Sequence, residues 1–167
     1  MHNRIRYALF MVHLLYFIMD ILLTNYMQEQ LRWVKSEFKR YMYDKLPWDA
    51  RLVGLTGPRG VGKSTMVLQH LKEQDKERLR KSIYVSADHS YFLTHTLEET
   101  AAQFVREGGL WMYIDEVHKY ENWSIELKQI YDSHPELHVF FTGSSVLDIL
   151  EGEADLSRRV LLFDMQG

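Results

Sequence analysis

Residues Gly57 to Ser64, which read Gly-Pro-Arg-Gly-Val-Gly-Lys-Ser, leave this chain few architectures to choose from. They fit G-x-x-x-x-G-K-[ST], a phosphate-binding pattern that works only when a strand precedes it and a helix follows. Both neighbours suit: Arg51–Thr56 is a short apolar strand, and the run from Lys63 through Met66, Val67, Leu68, His70 and Leu71 is a helix, with the charged residues Lys72 to Lys81 as its solvated end. Glycines let successive backbone N–H groups converge on phosphate oxygens, and the positive end of the helix points at the same spot. The candidate nucleotide-binding set is therefore Gly57, Pro58, Arg59, Gly60, Val61, Gly62, Lys63, Ser64 and Thr65. Lys63 is expected to supply a point charge for the β- and γ-phosphates, Ser64 a hydroxyl for Mg²⁺, and Thr65 packing or a contact to the α-phosphate.

The rest of the chain alternates between the same two kinds of element. Strands are expected over Ser82–Ala87, Leu110–Ile114, Leu137–Thr142 and Val160–Phe163, and helices over Leu97–Glu107 and Trp123–Asp132. Gly108-Gly109 closes the first of these helices and Pro135 stops the connection after the second. The run Leu110–Ile114 is apolar on both faces, which suits a parallel strand covered by helices on each side. A βαβ series with right-handed crossovers follows, giving an α/β fold.

The third strand runs into Asp115-Glu116, and carboxylates at the carboxyl end of a parallel strand sit where open α/β sheets bind ligands. Asp115 is expected to hold the Mg²⁺ shell beside Ser64, and Glu116 to orient or deprotonate the water that attacks the γ-phosphate. The fourth strand ends in Thr142-Gly143-Ser144-Ser145, hydroxyls that emerge beside Asp115. Thr142 is the candidate sensor of the γ-phosphate or the water, with Ser144 next; Ser144 or Ser145 equally suits a cap on a helix Val146–Leu150. Arg158 and Arg159 follow the acidic loop Glu151–Asp155. Arg159 is the candidate phosphate finger, from its own chain or a neighbour, and a salt bridge to the acidic loop is the competing reading.

Composition removes other chemistries. The 167 residues suffice for one domain, and 20 Lys+Arg against 23 Asp+Glu give a net charge of -3, so no global basic field advertises nucleic acid or an anionic membrane. Without cysteine there are no disulfides, thiolate metal sites or thiol nucleophiles, and the eight His show no metal-ligand spacing, so no protein-held transition metal is expected. A cytoplasmic protein is the expectation.

The N-terminal residues 1–27 stand apart. After Arg4 and Arg6, an apolar run from Tyr7 to Leu23 is broken only by His13 and Asp20. It is short for a spanning helix and carries a charge, and no small-residue cleavage site follows. Three readings stand for it: membrane association through residues 7–23, a helix packed on a partner, and upstream translation ahead of Met27. From Glu29 to Leu46, Leu31, Val34, Phe38 and Tyr41 recur at helical spacing among basic residues, so an amphipathic helix is expected over 28–48, ended by Pro47. Its basic face is read as solvated. The phosphate-binding core is then 49–167.

Gly57–Thr65, Tyr113–Trp123, Phe141–Ser145 and Leu156–Arg159 together resemble the prokaryotic AAA-like P-loop ATPases, whose signature runs G-x-R-G-V-G-K-[ST]-T, Y-I-D-E-V-H-K-Y-x-x-W, T-G-S-S and L-S-R-R. The resemblance spans about residues 50 to 163. It implies a five-stranded parallel sheet in the order 5-1-4-3-2 with helices on both faces, ATP as nucleotide with Mg²⁺, and Walker roles for Lys63, Ser64, Asp115 and Glu116. Members normally continue into a lid and often a nuclease-like C-terminal domain, and neither is expected within this stretch. Self-association is compatible with the type, and DNA is a partner by family analogy only. Two other readings compete: an ATP-binding switch with little turnover, and a helicase fragment built on Asp115-Glu116-Val117-His118 as a D-E-x-H box. In the ATPase reading, His118 and Lys119 only open a loop that Tyr120 and Trp123 pack down.

Overall fold

The computed structural model describes residues 21–144 and 154–166. Most of the apolar run 7–23, Ser145, the expected helix Val146–Leu150 and most of the acidic loop lie outside the described residues. Five strands, β1 (Leu52–Thr56), β2 (Ser82–Ser86), β3 (Trp111–Asp115), β4 (His138–Thr142) and β5 (Leu161–Asp164), pair in parallel throughout. Their order is β2-β3-β4-β1-β5, the 5-1-4-3-2 arrangement expected from the resemblance.

Strand periodicity divides the core into two layers. Val53, Leu55, Tyr84, Tyr113 and Phe140 face α2 (Lys63–Lys72), meeting Met66, Val67 and Leu71. Their alternate neighbours Leu52, Ile83, Val85, Met112, Ile114, Val139 and Phe141 face α4 (Leu97–Arg106) and α5 (Trp123–Ser133) through Leu97, Ala101, Leu127 and Ile130. Each fully buried aliphatic or aromatic side chain contributes about 1.5–3 kcal/mol, so these two layers are the main source of stability. Central β1 is thinned at Gly54, where a Cβ would lie 2.6 Å from both Phe141 and Leu162. Helix α4 starts on a reciprocal capping box: the Thr96 hydroxyl accepts from Glu99 N–H and the Glu99 carboxylate from Thr96 N–H.

Two local expectations are corrected. The charged tail 72–81 is not one helix end, because the Asp75 carboxylate accepts the Arg78 N–H and starts a separate short helix α3 (Lys76–Arg80). The amphipathic helix expected over 28–48 does not form either. Helix α1 covers residues 21–33, the chain then runs without helical hydrogen bonds, and only Tyr43–Lys45 makes a 3-10 turn. The competing hydrogen bonds come from α2: Gln69 Nε2 donates to the carbonyls of Lys35 and Phe38 at 2.7 and 2.8 Å, and Lys72 Nζ donates to that of Val34 at 2.8 Å. Once α2 satisfies these carbonyls, the segment gains nothing by coiling. Of the expected apolar face, Val34 is buried, whereas Phe38 and Tyr41 stand exposed. Among the described residues no helix is long and apolar enough to cross a membrane.

His70 joins this segment to α2. Its ring stacks on Trp48 at 3.9 Å and meets the Tyr43 hydroxyl at 3.3 Å, and burial together with the nearby Arg78 charge lowers its pKa from 6.5 to about 4. The fold therefore favours neutral imidazole, and as pH falls the unfolded chain takes up this proton first. The contribution is complete above pH 6.5 and is lost between 6.5 and 4; it amounts to about 3 kcal/mol. Urea unfolding should accordingly show a steeper loss of stability over that window for the wild type than for His70→Phe, which keeps the stack on Trp48 without a titrating group. Parallel slopes would contradict the assignment.

Candidate functional site

Strand order decides what meets at the carboxyl edge of the sheet. β4 lies between β1 and β3, so Thr142 stands between the loop that leaves β1 and the acids that leave β3. The loop itself is shaped by glycine. Gly57 has φ 141° and packs so closely that a Cβ there would lie 2.3 Å from the Met165 carbonyl oxygen; Gly62, at φ 95°, caps α2 in a left-handed conformation that other residues resist. Lys63 is 4% exposed, and its ammonium donates to the carbonyls of Gly57 at 2.7 Å and Pro58 at 2.9 Å. Burial lowers its pKa, and the carboxylates of Glu116, Asp115 and Asp164 oppose that shift. A buried cation held by neutral carbonyls alone is a receptor for an anion.

Asp115 is the hub. Its Oδ1 accepts from the Ser64 hydroxyl at 3.0 Å and from the Thr142 hydroxyl, and its Oδ2 accepts from the Tyr84 phenol at 2.8 Å. Burial raises the pKa of Tyr84, and the Asp115 charge raises it further, so the phenol remains a donor. The donor set suits a small hard cation: Ser64 and Asp115 offer a hydroxyl and a carboxylate side by side, the oxygen ligands magnesium takes alongside water and phosphate.

Glu116 has φ 56° and ψ 42°, and it is the one non-glycine residue with positive φ among the described residues. This conformation costs about 1–2 kcal/mol. Three contacts hold it: its N–H donates to the Thr142 hydroxyl at 3.0 Å, its carbonyl accepts from Lys119 N–H at 2.9 Å, and its carboxylate lies 3.3 Å from His118 Nε2. His118 Nδ1 accepts the Ser144 N–H at 3.3 Å, which leaves the ring proton on Nε2, aimed at Glu116. His118 thus ties Glu116 to the end of β4, beyond the loop-opening part read for it above. The turn strains the chain where the expected water-activating carboxylate sits, a place where strain has functional uses.

Lys63, Ser64, Asp115, Glu116 and Thr142 therefore share one neighbourhood, with Gly57–Thr65 winding around it. Arg159 does not join them. It is held by Asp132 of α5 in a bidentate pair at 2.9 and 3.1 Å; the competing salt bridge to the acidic loop falls on side chains outside the described residues. Since Leu161 aligns with Val53, Arg159 sits at the amino edge of the sheet, and about 3.3 Å per residue puts it roughly 20 Å from this chain's own phosphate loop. A finger role within its own chain is therefore corrected. Arg158 is exposed nearby. The sequence reading missed Tyr84, whose signal appears only once β2 is aligned with β3 and Ser86 falls opposite Asp115.

No curated protein matches the chain. Among solved structures, it is similar to C. elegans PCH-2 at 20% identity and TM-score 0.49, over 89% of this chain and 42% of that one. It is similar to AMPPCP-bound DnaA from Aquifex aeolicus at 18% identity and TM-score 0.46, over 87% and 45%. The Aeropyrum pernix Orc1 protein in complex with DNA matches at 17% identity and TM-score 0.50, over 87% and 48%. The chain thus spans less than half the length of each, and the likeness to Orc1, at 17% identity and TM-score 0.50, concerns the fold alone. A family model described as the AAA domain matches residues 49–167, most of the chain. With the sheet order and the loop it contains, that match makes this chain a member of the AAA domain family, whose domains in general bind and hydrolyse ATP.

Proposed function

We propose that the site binds Mg·ATP and hydrolyses it by in-line attack of water on the γ-phosphate. The observation that carries the reading is the convergence of the Ser64 hydroxyl, the Thr142 hydroxyl and Asp115 Oδ1 on one point, with Glu116 the next residue along. When bound, magnesium neutralises developing phosphate charge. Ser64 and Asp115 are the residues to hold it. Lys63 exchanges its two carbonyl partners for phosphate oxygens, and the loop N–H groups of Gly57–Thr65 bind the remaining oxygens. Glu116 takes the proton of the attacking water, oriented by His118 on one side and Thr142 on the other. Thr142, bonded both to Asp115 and to the Glu116 backbone, is suited to sense whether the γ-phosphate is present.

The AAA domain match supports this reading over the D-E-x-H helicase one. A finger role for Arg158 or Arg159 belongs to a second copy of the chain, because both lie at the far edge of the sheet. DNA stays a partner by analogy, a property stated of the Orc1 relative. The test is phosphate release from ATP by the whole chain: turnover that requires Mg²⁺ and stops in EDTA is expected. Tight ATP binding with no release under any metal condition would instead identify a switch.

A further inference from the structure

The family match begins at residue 49, yet α1, which precedes it, reaches the catalytic edge. Tyr26 projects from α1 and stacks on Tyr84, ring centroids 6.1 Å apart and planes 11° from parallel. Its ring edge also meets His89 at 4.9 Å, and its hydroxyl interacts with Ser86, the residue aligned with Asp115 across β2 and β3. Tyr84 is buried, and its hydroxyl reaches the far oxygen of Asp115, the one that neither Ser64 nor Thr142 uses.

A carboxylate gripped at Oδ1 alone can still swing about its Cβ–Cγ bond. A donor on Oδ2 stops that rotation and fixes where both oxygens face. Partners of metal-ligating side chains act in this way, and losing one costs about 10–100-fold in metal affinity. Tyr84 can hold Oδ2 only while its ring stays upright on the sheet. Met27 of α1 packs in the same layer as Tyr84, and the Tyr26 ring covers its face, so the stack supplies that support.

Building on the proposed function, we infer that Tyr84 is a positioning residue for the Asp115 carboxylate at the magnesium site, and that Tyr26 of α1 seats it from outside the AAA domain. The phenol touches neither nucleotide nor metal. Its effect belongs in the magnesium dependence of nucleotide binding.

The experiment uses the full chain and a fluorescent N-methylanthraniloyl ATP analogue, titrated with Mg²⁺ and separately bound in EDTA. Tyr84→Phe removes only the hydroxyl. Its half-maximal Mg²⁺ concentration should rise about tenfold, while analogue affinity in EDTA stays near wild type and the melting temperature falls by only a few degrees, the worth of one charge-assisted hydrogen bond. Tyr26→Ala should shift the midpoint in the same direction, and the double variant should move no further than Tyr84→Phe alone, since both act through one contact. If Tyr84→Phe keeps the wild-type midpoint, or lowers it because the phenol obstructs the metal, the positioning role is wrong. Additive shifts in the double variant would remove the Tyr26 part. If the wild type itself gives no analogue signal, the proposed function fails and this inference with it, an outcome distinct from a normal wild type beside an unmoved variant.

Discussion

Lys63→Ala should abolish the stabilisation that Mg·ATP gives this protein. Lys63 is 4% exposed and its ammonium is held by the Gly57 and Pro58 carbonyls, so in the free protein its charge has no anion beside it at hydrogen-bond distance. Phosphate provides one. Two charge-assisted hydrogen bonds at about 1.5 kcal/mol or more each amount to roughly 3 kcal/mol, or about 100-fold in affinity. At ATP a hundred times the wild-type dissociation constant, ligand stabilisation is about 2.7 kcal/mol, or some 5–10 °C in melting temperature for a chain of this size. The variant should lose nearly all of it. Without nucleotide it should melt near the wild type, because the burial cost of the removed charge offsets its two carbonyl hydrogen bonds and its attraction to the nearby carboxylates. A variant that retains a wild-type ATP shift would show that the loop binds phosphate without its lysine, and the site would need another cation.

Glu116→Gln should separate binding from chemistry. The amide keeps the size and the strained left-handed backbone of the carboxylate, and it still meets His118 and Thr142, so nucleotide affinity and stability should change little. What it loses is the ability to take a proton. General-base catalysis contributes about 10²–10⁴-fold, and turnover should fall by that factor with the ATP-induced thermal shift intact. Turnover within a few-fold of wild type would assign water activation elsewhere. Since the two variants fail differently, one at binding and one at chemistry, together they locate both halves of the site.

Features encoded over a few adjacent residues were readable in the sequence. The Gly57–Ser64 loop and the acidic pair after an apolar strand each depend on neighbours within about a turn, and strand alternation depends on neighbours two apart. Sheet order is different. It came from resemblance, because periodicity cannot say that β4 inserts between β1 and β3. The segment 34–42 misled because its apolar spacing suits a helix, while its conformation is decided by Gln69 and Lys72, more than thirty residues away. The Tyr84–Asp115 bond, the Arg159–Asp132 pair and the left-handed turn at Glu116 escaped for the same reason: each is a contact between elements, settled only when the strands take their register.

Calorimetric titration of the wild-type chain with ATP, first with Mg²⁺ and then in EDTA, measures directly whether this site binds Mg·ATP. Saturable binding at one site per chain is expected, weakened when magnesium is chelated, because Ser64 and Asp115 would hold the ion that neutralises phosphate charge. Absence of any binding heat or thermal shift with ATP, at concentrations up to the millimolar range, would contradict it.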